Sequence, residues 1–126
     1  MTTPLPFDET VLSGLIEEIG ADAALRILSV FLAETELALE RIATMRGGDT
    51  PSDIADAAHT LKSTASTFGF GELASVAALL EASARQPTPP AELNRQIDDL
   101  QAAFAAGRRA LATARDGNGQ DAWHKP

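Results

Sequence analysis

Glycine and proline divide this chain into segments whose apolar residues recur at the spacing of an α-helix. Four segments are long enough to be substantial helices, and no stretch alternates apolar and polar residues as a half-buried strand would. Short connections favour neighbouring helices that run in opposite directions. The pattern predicts an all-α protein, an antiparallel four-helix bundle over residues 1–115 with a short extra N-terminal helix. The predicted segments are 7–19, 22–46, 52–68, 71–85 and 91–114.

The breaks between segments fall at residues that start or end helices. Asp8 and Ser52 are predicted N-caps, because a short side-chain oxygen can accept a hydrogen bond from the first backbone N–H groups. Gly69 stands where a helix end needs a left-handed residue. The proline-rich stretch 86–90 predicts a stiff linker, and the Gly-rich, polar stretch 116–126 predicts a flexible tail.

The composition argues against several classes of protein. A net charge of −8 disfavours nucleic acid or an anionic membrane as the main partner, and an acidic surface limits self-association, so we expect a monomer. The absence of cysteine excludes disulfides, thiolate metal sites and cysteine nucleophiles. The sequence has neither a signal-peptide pattern nor an apolar run near the ~20 residues of a membrane span. We expect a free-standing cytoplasmic protein rather than a kinase fragment.

His59 lies on the solvent side of the third predicted helix. At about 100° of rotation per residue, the apolar residues of this segment share one sector, and His59 points about 150° from its centre. That sector contains Ile54, Ala57, Leu61, Ala65 and Phe68. Imidazole titrates near neutral pH, so an exposed histidine can act as a nucleophile toward a visiting partner. The alternative is a purely structural helical protein in which this histidine is incidental.

Other chemistries find little support in the sequence. Asp56 and His59 form the one pairing that is comparable to the Glu-x-x-His motifs of di-iron bundles, and no second histidine lies on a predicted helix, so no metal site is expected. The glycines at 47–48 and 117–119 belong to a turn and to the tail rather than to a phosphate-binding loop. No serine has the sequence context of an activated nucleophile.

The residues around His59 resemble the signature of the histidine phosphotransfer (HPt) domain family. They are also similar to the phosphotransfer domain at the start of chemotaxis-type histidine kinases. The matching residues are His59, Leu61, Lys62, Phe68 and Gly69 on one segment, and Leu80, Glu81 and Arg85 on the next. The resemblance extends over about residues 7–111 and implies the same four-helix bundle fold that the periodicity predicts.

The resemblance implies a phosphoryl carrier of a two-component phosphorelay without its own kinase activity. His59 would take a phosphoryl group from a histidine kinase or receiver domain and deliver it to a response-regulator aspartate. Lys62 would offset charge on the phosphoryl oxygens. Glu81 would orient the imidazole by accepting a hydrogen bond from Nδ1–H, leaving the Nε2 lone pair for the attack on phosphorus.

Partner docking is expected around the same histidine. Asp56, Ser63 and Ser66 are the predicted docking residues, and Ser63 occupies a position at which the family usually has Gly. Serine is still small, so we expect docking to be retained. No cofactor of the chain's own is expected, because the receiver should bring Mg²⁺ together with the acceptor aspartate. The alternative function is an HPt-shaped adaptor that binds receivers or kinases without a phosphate cycle.

Overall fold

A computed structural model describes residues 3–46 and 50–117, and within these ranges the chain forms five α-helices and no strand. The helices are α1 (Glu9–Ile19), α2 (Ala21–Thr44), α3 (Pro51–Thr67), α4 (Gly71–Ala84) and α5 (Pro90–Gly117). This confirms the all-α class. Of the predicted tail, 116–126, the first two residues continue α5 and the rest lie outside the described residues.

Helix ends agree with the sequence patterns in most places. The Asp8 carboxylate accepts a hydrogen bond from the Thr10 backbone N–H at 3.0 Å, as an N-cap does. The predicted cap at Ser52 is wrong, since α3 already begins at Pro51. Proline suits a first helical position because its φ is fixed and its missing N–H would have had no intrahelical acceptor. For the same reason Pro90 belongs to the first turn of α5 rather than to the linker before it.

Aromatic rings tie the elements together at one end of the fold. Phe70 is fully buried, and its ring centroid lies 5.6, 5.0 and 6.1 Å from the ring centroids of Phe7, Phe31 and Phe104. It therefore links α2, α5 and the N-terminal segment, residues 3–8 before α1. A Cβ at Gly107 would lie 2.5 Å from the Phe70 ring, so only glycine lets α5 approach this closely. Burying such a ring stabilises the fold by about 1.5–3 kcal/mol.

The N-terminal segment fixes the turn between α3 and α4. The Asp8 N–H donates to the Gly69 carbonyl and the Glu72 N–H donates to the Leu5 carbonyl, both at 2.8 Å. Gly69 has φ +80°, the left-handed conformation that the sequence predicts for this helix end. The segment therefore holds α3 and α4 in a defined register.

Small side chains let α3 and α4 approach closely. These two helices share the most extensive interface among the described pairs. Ala58 and Ala65 of α3 and Ala77 and Ala84 of α4 are all buried. Alanine keeps the backbones near each other, so longer side chains at the rim of the interface can meet across it. The predicted apolar sector of α3 is wrong in part. Ala55 and Ala58 are buried although the prediction left them out, whereas Ala57 and Phe68 are only half-buried.

In the part of the chain that the structure describes, no helix combines the length and the apolar character that crossing a membrane requires.

Candidate functional site

His59 and Glu81 meet across the rim of the α3–α4 interface. The imidazole Nδ1 lies 3.0 Å from Glu81 Oε2. The His59 side chain is 59% exposed, whereas that of Glu81 is only 16% exposed. The contact therefore holds an accessible ring against a sheltered carboxylate.

Lys62 contacts the other oxygen of the same carboxylate. Its ammonium lies 3.1 Å from Glu81 Oε1, one helical turn beyond His59 on α3. This hydrogen bond is the largest influence that lowers the pKa of Glu81, which falls from 4.5 to about 2. Partial burial opposes the shift, and the bonds from His59 and Arg85 lower the pKa further. Glu81 is thus a carboxylate throughout the neutral range.

The ionised carboxylate decides which nitrogen of His59 carries the proton. A carboxylate is only an acceptor, so Nδ1–H must be the donor in the contact with Oε2. In the uncharged ring Nε2 then carries a lone pair rather than a proton. The geometry leaves the Nε2 lone pair without a proton on a side chain that is exposed.

Arg85 is a fourth member of this cluster, and it contacts both helices. Its Nη2 donates to Glu81 Oε2 and to Asp56 Oδ1, each at 3.3 Å. Sequence reasoning included Arg85 in the family resemblance but gave it no role. The spacing along the sequence could have indicated this cluster, because Arg85 follows Glu81 by one turn and Asp56 precedes His59 by one turn.

The structure also places the predicted docking residues around the histidine. Asp56 is 74% exposed and is bonded to Arg85, while Ser63 and Ser66 are exposed on α3. The structure thus brings His59, Lys62, Glu81 and Asp56 into one bonded cluster, with the two serines on the same helix and outside its bonds. The chemical roles of all six residues stay predictions.

A groove of about 480 Å³ lies between α2 and α3, and sequence reasoning missed it. Thr60, the neighbour of His59, is part of its wall. Its apolar lining includes Ile27, Val30 and Phe31 from α2 and Ala57, Leu61 and Phe68 from α3; its charged residues are Arg26, Glu34 and Arg41. Ile27 and Val30 are 40% and 56% exposed, so this apolar surface is open to solvent.

The residues near His59 do not fit a metal ion. Among residues 3–46 and 50–117, no group of three or more histidine, aspartate or glutamate side chains could hold one. Both Glu81 oxygens already accept from cationic or imidazole donors, and Asp56 is bonded to Arg85. A metal here would have to displace these bonds.

An exposed imidazole, oriented by a carboxylate from the next helix, defines a histidine-centred site on a helical domain. A scan against protein-family models identifies the family of this domain. The Hpt domain model matches residues 26–107, more than half of the chain. The chain therefore belongs to the Hpt domain family. Hpt domains carry phosphoryl groups in two-component phosphorelays, where they interact with kinases and receiver domains, rather than having kinase sites of their own.

Searches of curated proteins and of solved structures gave no match.

Proposed function

We propose that this protein carries a phosphoryl group on Nε2 of His59, between a histidine kinase or receiver domain and the aspartate of a response regulator. The observation that carries the proposal is the 3.0 Å contact between His59 Nδ1 and Glu81 Oε2 on an imidazole that is 59% exposed. Family membership supplies the class of reaction, and this contact supports His59 as the phosphoacceptor and Nε2 as its reacting atom.

The transfer step uses side chains of the two proteins, together with the Mg²⁺ that the receiver is expected to bring. When the donor is a receiver, the Nε2 lone pair forms the N–P bond while the P–O bond to the donor aspartate breaks, and that electron pair leaves with the aspartate carboxylate. When the donor is the phosphohistidine of a kinase, the P–N bond to that histidine breaks instead, and the electron pair stays on its ring nitrogen. Nδ1 keeps its proton, and the positive charge that develops on the ring is offset by Glu81. Delivery to the acceptor aspartate reverses these events. Catalysis of this kind depends mainly on positioning and charge.

Lys62 is suited to stabilise the phosphoryl group. An ammonium has three donors, and the bond to Glu81 Oε1 uses one of them. Its side chain is 37% exposed, so a phosphoryl group on the neighbouring ring can reach it from solvent. We propose that Lys62 offsets the negative charge of the phosphoryl oxygens.

In this proposal the partner supplies Mg²⁺ and makes the docking contacts. Because the described residues near His59 do not fit a metal, the proposal assigns Mg²⁺ to the receiver. The partner would contact Asp56, Ser63 and Ser66 and cover the apolar groove beside Thr60. The monomeric state and the cytoplasmic location stay predictions from the sequence.

The finer architecture that we propose is an antiparallel four-helix bundle of α2, α3, α4 and α5, with α1 as the extra helix. It is supported by contacts that run from α2 to α3, α3 to α4, α4 to α5 and back from α5 to α2. Short connections between successive helices fit the same arrangement.

The test is the variant His59→Gln, exposed to phosphoramidate or to a phosphorylated receiver and analysed by intact mass. We expect the unmodified protein to gain one phosphoryl group and the variant to gain none, with the same helical circular dichroism. Uptake that persists in His59→Gln contradicts the proposal. A protein that binds receivers but takes up no phosphoryl group is instead the adaptor that the sequence left open.

A further inference from the structure

The groove between α2 and α3 contains a buried hydroxyl without a hydrogen-bond partner. Thr35 is only 3% exposed and lines the groove, and its Oγ1 makes no hydrogen bond with a described residue. By contrast, Thr60 and Thr64 on the facing wall donate to backbone carbonyls of their own helix. An unpaired polar group at a buried position costs free energy, so the Thr35 hydroxyl favours a ligand that accepts its hydrogen bond.

Arg41 supplies a positive charge near this hydroxyl. It is exposed and lines the same groove, and in the described part of the chain no ion pair or hydrogen bond engages its guanidinium. Side chains on a helix lean toward its N-terminus, so we expect the guanidinium to lie over Ala38, on the way back to Thr35. A carboxylate at this point can accept from the Arg41 guanidinium and from the Thr35 hydroxyl at once.

The rest of the groove suits an aliphatic chain. The rings of Phe31 on α2 and Phe68 on α3 stack with their centroids 4.7 Å apart, and Ile27 and Val30 continue the apolar surface beyond them. The volume of about 480 Å³ lies within the range of about 300–1,000 Å³ that small-molecule sites have. The groove therefore has a polar end at Arg41 and an apolar end.

We propose that this groove is a binding site for a small amphiphilic carboxylate. The carboxylate accepts hydrogen bonds from Arg41 and Thr35, and the aliphatic chain covers Phe31, Phe68 and Val30. The binding itself is independent of the proposed function. Its consequence rests on that function, since a ligand beside Thr60 would occupy part of the surface that the receiver is proposed to cover.

Two other charged residues border the groove and make the orientation testable. Glu34 lies two turns before Arg41 on the same face of α2, so it repels a carboxylate bound there. Arg26 lies about 22 Å from Arg41 along the helix axis, at a rise of about 1.5 Å per residue. The two arginines thus offer the same charge at opposite ends of the groove, and the proposal uses only Arg41.

The experiment titrates decanoate into the full chain and follows the methyl signals of Ile27 and Val30 by NMR. We expect saturable shifts with a Kd of about 1 mM or tighter. Octanoate and hexanoate should bind about tenfold more weakly at each step, because each removes two methylene groups from the apolar contact. Octan-1-ol should bind more weakly than octanoate. Shifts that do not saturate, or an alcohol that binds as tightly as the acid, overturn the proposal.

Variants test each end of the ligand separately, with circular dichroism as the control for folding. Arg41→Gln and Thr35→Val should each weaken decanoate binding by about tenfold, and Glu34→Gln should strengthen it. The matched control is Arg26→Gln, which should leave the Kd almost unchanged. Equal weakening in Arg26→Gln and Arg41→Gln overturns the proposal, and so does an unchanged Kd in both Arg41→Gln and Thr35→Val.

The apolar end has its own matched pair. Val30→Asn should weaken decanoate binding, whereas Leu79→Asn on α4, at a similarly exposed apolar residue, should not. Equal effects of these two variants overturn the proposal. Methyl shifts that grow with protein concentration in the absence of decanoate would show that a second copy fills the groove, and that result overturns it as well.

A final measurement separates this inference from the proposed function. Saturating decanoate should slow phosphoryl transfer from a phosphorylated receiver and leave uptake from phosphoramidate unchanged, because only the receiver needs the groove. A protein that takes up no phosphoryl group but binds decanoate refutes the proposed function and keeps the binding site. A protein that takes up phosphoryl groups but does not bind decanoate refutes the binding site alone.

Discussion

The imidazole Nδ1 of His59 and the carboxylate Oε2 of Glu81 lie 3.0 Å apart, although 22 residues separate them along the chain. The contact exists because alanines at the buried interface bring α3 and α4 together, and because the turn at Gly69 sets their register. Its chemical consequence is a defined tautomer on an exposed ring.

Removing the Glu81 carboxylate should slow phosphoryl uptake without unfolding the protein. In Glu81→Ala the ring loses its acceptor at Nδ1 and can adopt either tautomer. A hydrogen bond to a charged group is worth about 1.5 kcal/mol at the low end, which corresponds to about tenfold in rate. The rate of uptake from phosphoramidate, measured beside circular dichroism, checks this. An unchanged rate removes Glu81 from the mechanism.

Lys62→Met should raise the pKa of Glu81 from about 2 toward its ordinary value of 4.5, because the Lys62 hydrogen bond is the largest influence that lowers it. Arg85→Gln should raise it less, since the Arg85 bond contributes less. Both shifts can be measured by following the side-chain carboxyl carbon of Glu81 with pH by NMR.

The control for that titration lies in the same spectrum. Glu92 on α5 has a pKa lowered chiefly by its hydrogen bond from Arg95, so it should titrate identically in Lys62→Met. If Arg85→Gln shifts the pKa of Glu81 further than Lys62→Met does, Lys62 is not the largest influence on that pKa.

Ala58→Leu should disturb both the fold and the site, because Ala58 is fully buried. Overpacking of this kind costs about 1–3 kcal/mol, and pushing α3 away from α4 would lengthen the contact between His59 and Glu81. The matched control is Ala82→Leu on the exposed face of α4, which should change the free energy of unfolding by no more than about 0.5 kcal/mol. Urea unfolding and phosphoramidate uptake measure the two effects. Equal behaviour of the two variants would mean that close packing does not hold the site.

Bulky residues at the predicted docking positions should separate docking from chemistry. Ser63→Arg and Ser66→Arg enlarge exposed residues on the His59 helix. Transfer from a phosphorylated receiver should fall by about tenfold or more, since a misplaced partner loses the alignment that the reaction needs. Uptake from the small donor phosphoramidate should fall much less. Ser75→Arg on the exposed face of α4 is the control, and a loss of both activities to the same extent would speak against a docking role.

Much of the fold could be predicted from the sequence, because apolar residues at helical spacing must be buried together. Most of the errors concern helix ends, where several residues could be the N-cap or the first helical residue. Ser52 looks like an N-cap, yet Pro51 suits the first helical position better. Pro90 could be assigned to a linker or to a helix start, and only the packing of α5 decides.

The site was predictable only in part, for a similar reason. The position of His59 on the solvent-exposed side of α3 follows from helical rotation alone, and the family resemblance suggests Glu81 as its hydrogen-bond partner. The double contact of Arg85 depends on the distance and the register between two helices, which no single helix encodes. The groove beside Thr60 depends on the gap between α2 and α3, so a pattern of apolar residues cannot reveal it.

The most direct test of the account asks which atom carries the phosphoryl group. The protein, labelled with ¹⁵N in its histidines, is treated with phosphoramidate and examined by ³¹P and ¹⁵N NMR, and peptide mapping separates His59 from His124. The account predicts one phosphoryl group, bonded to Nε2 of His59, with the proton still on Nδ1. Phosphorylation at Nδ1 of His59, at His124, or at no histidine would contradict it.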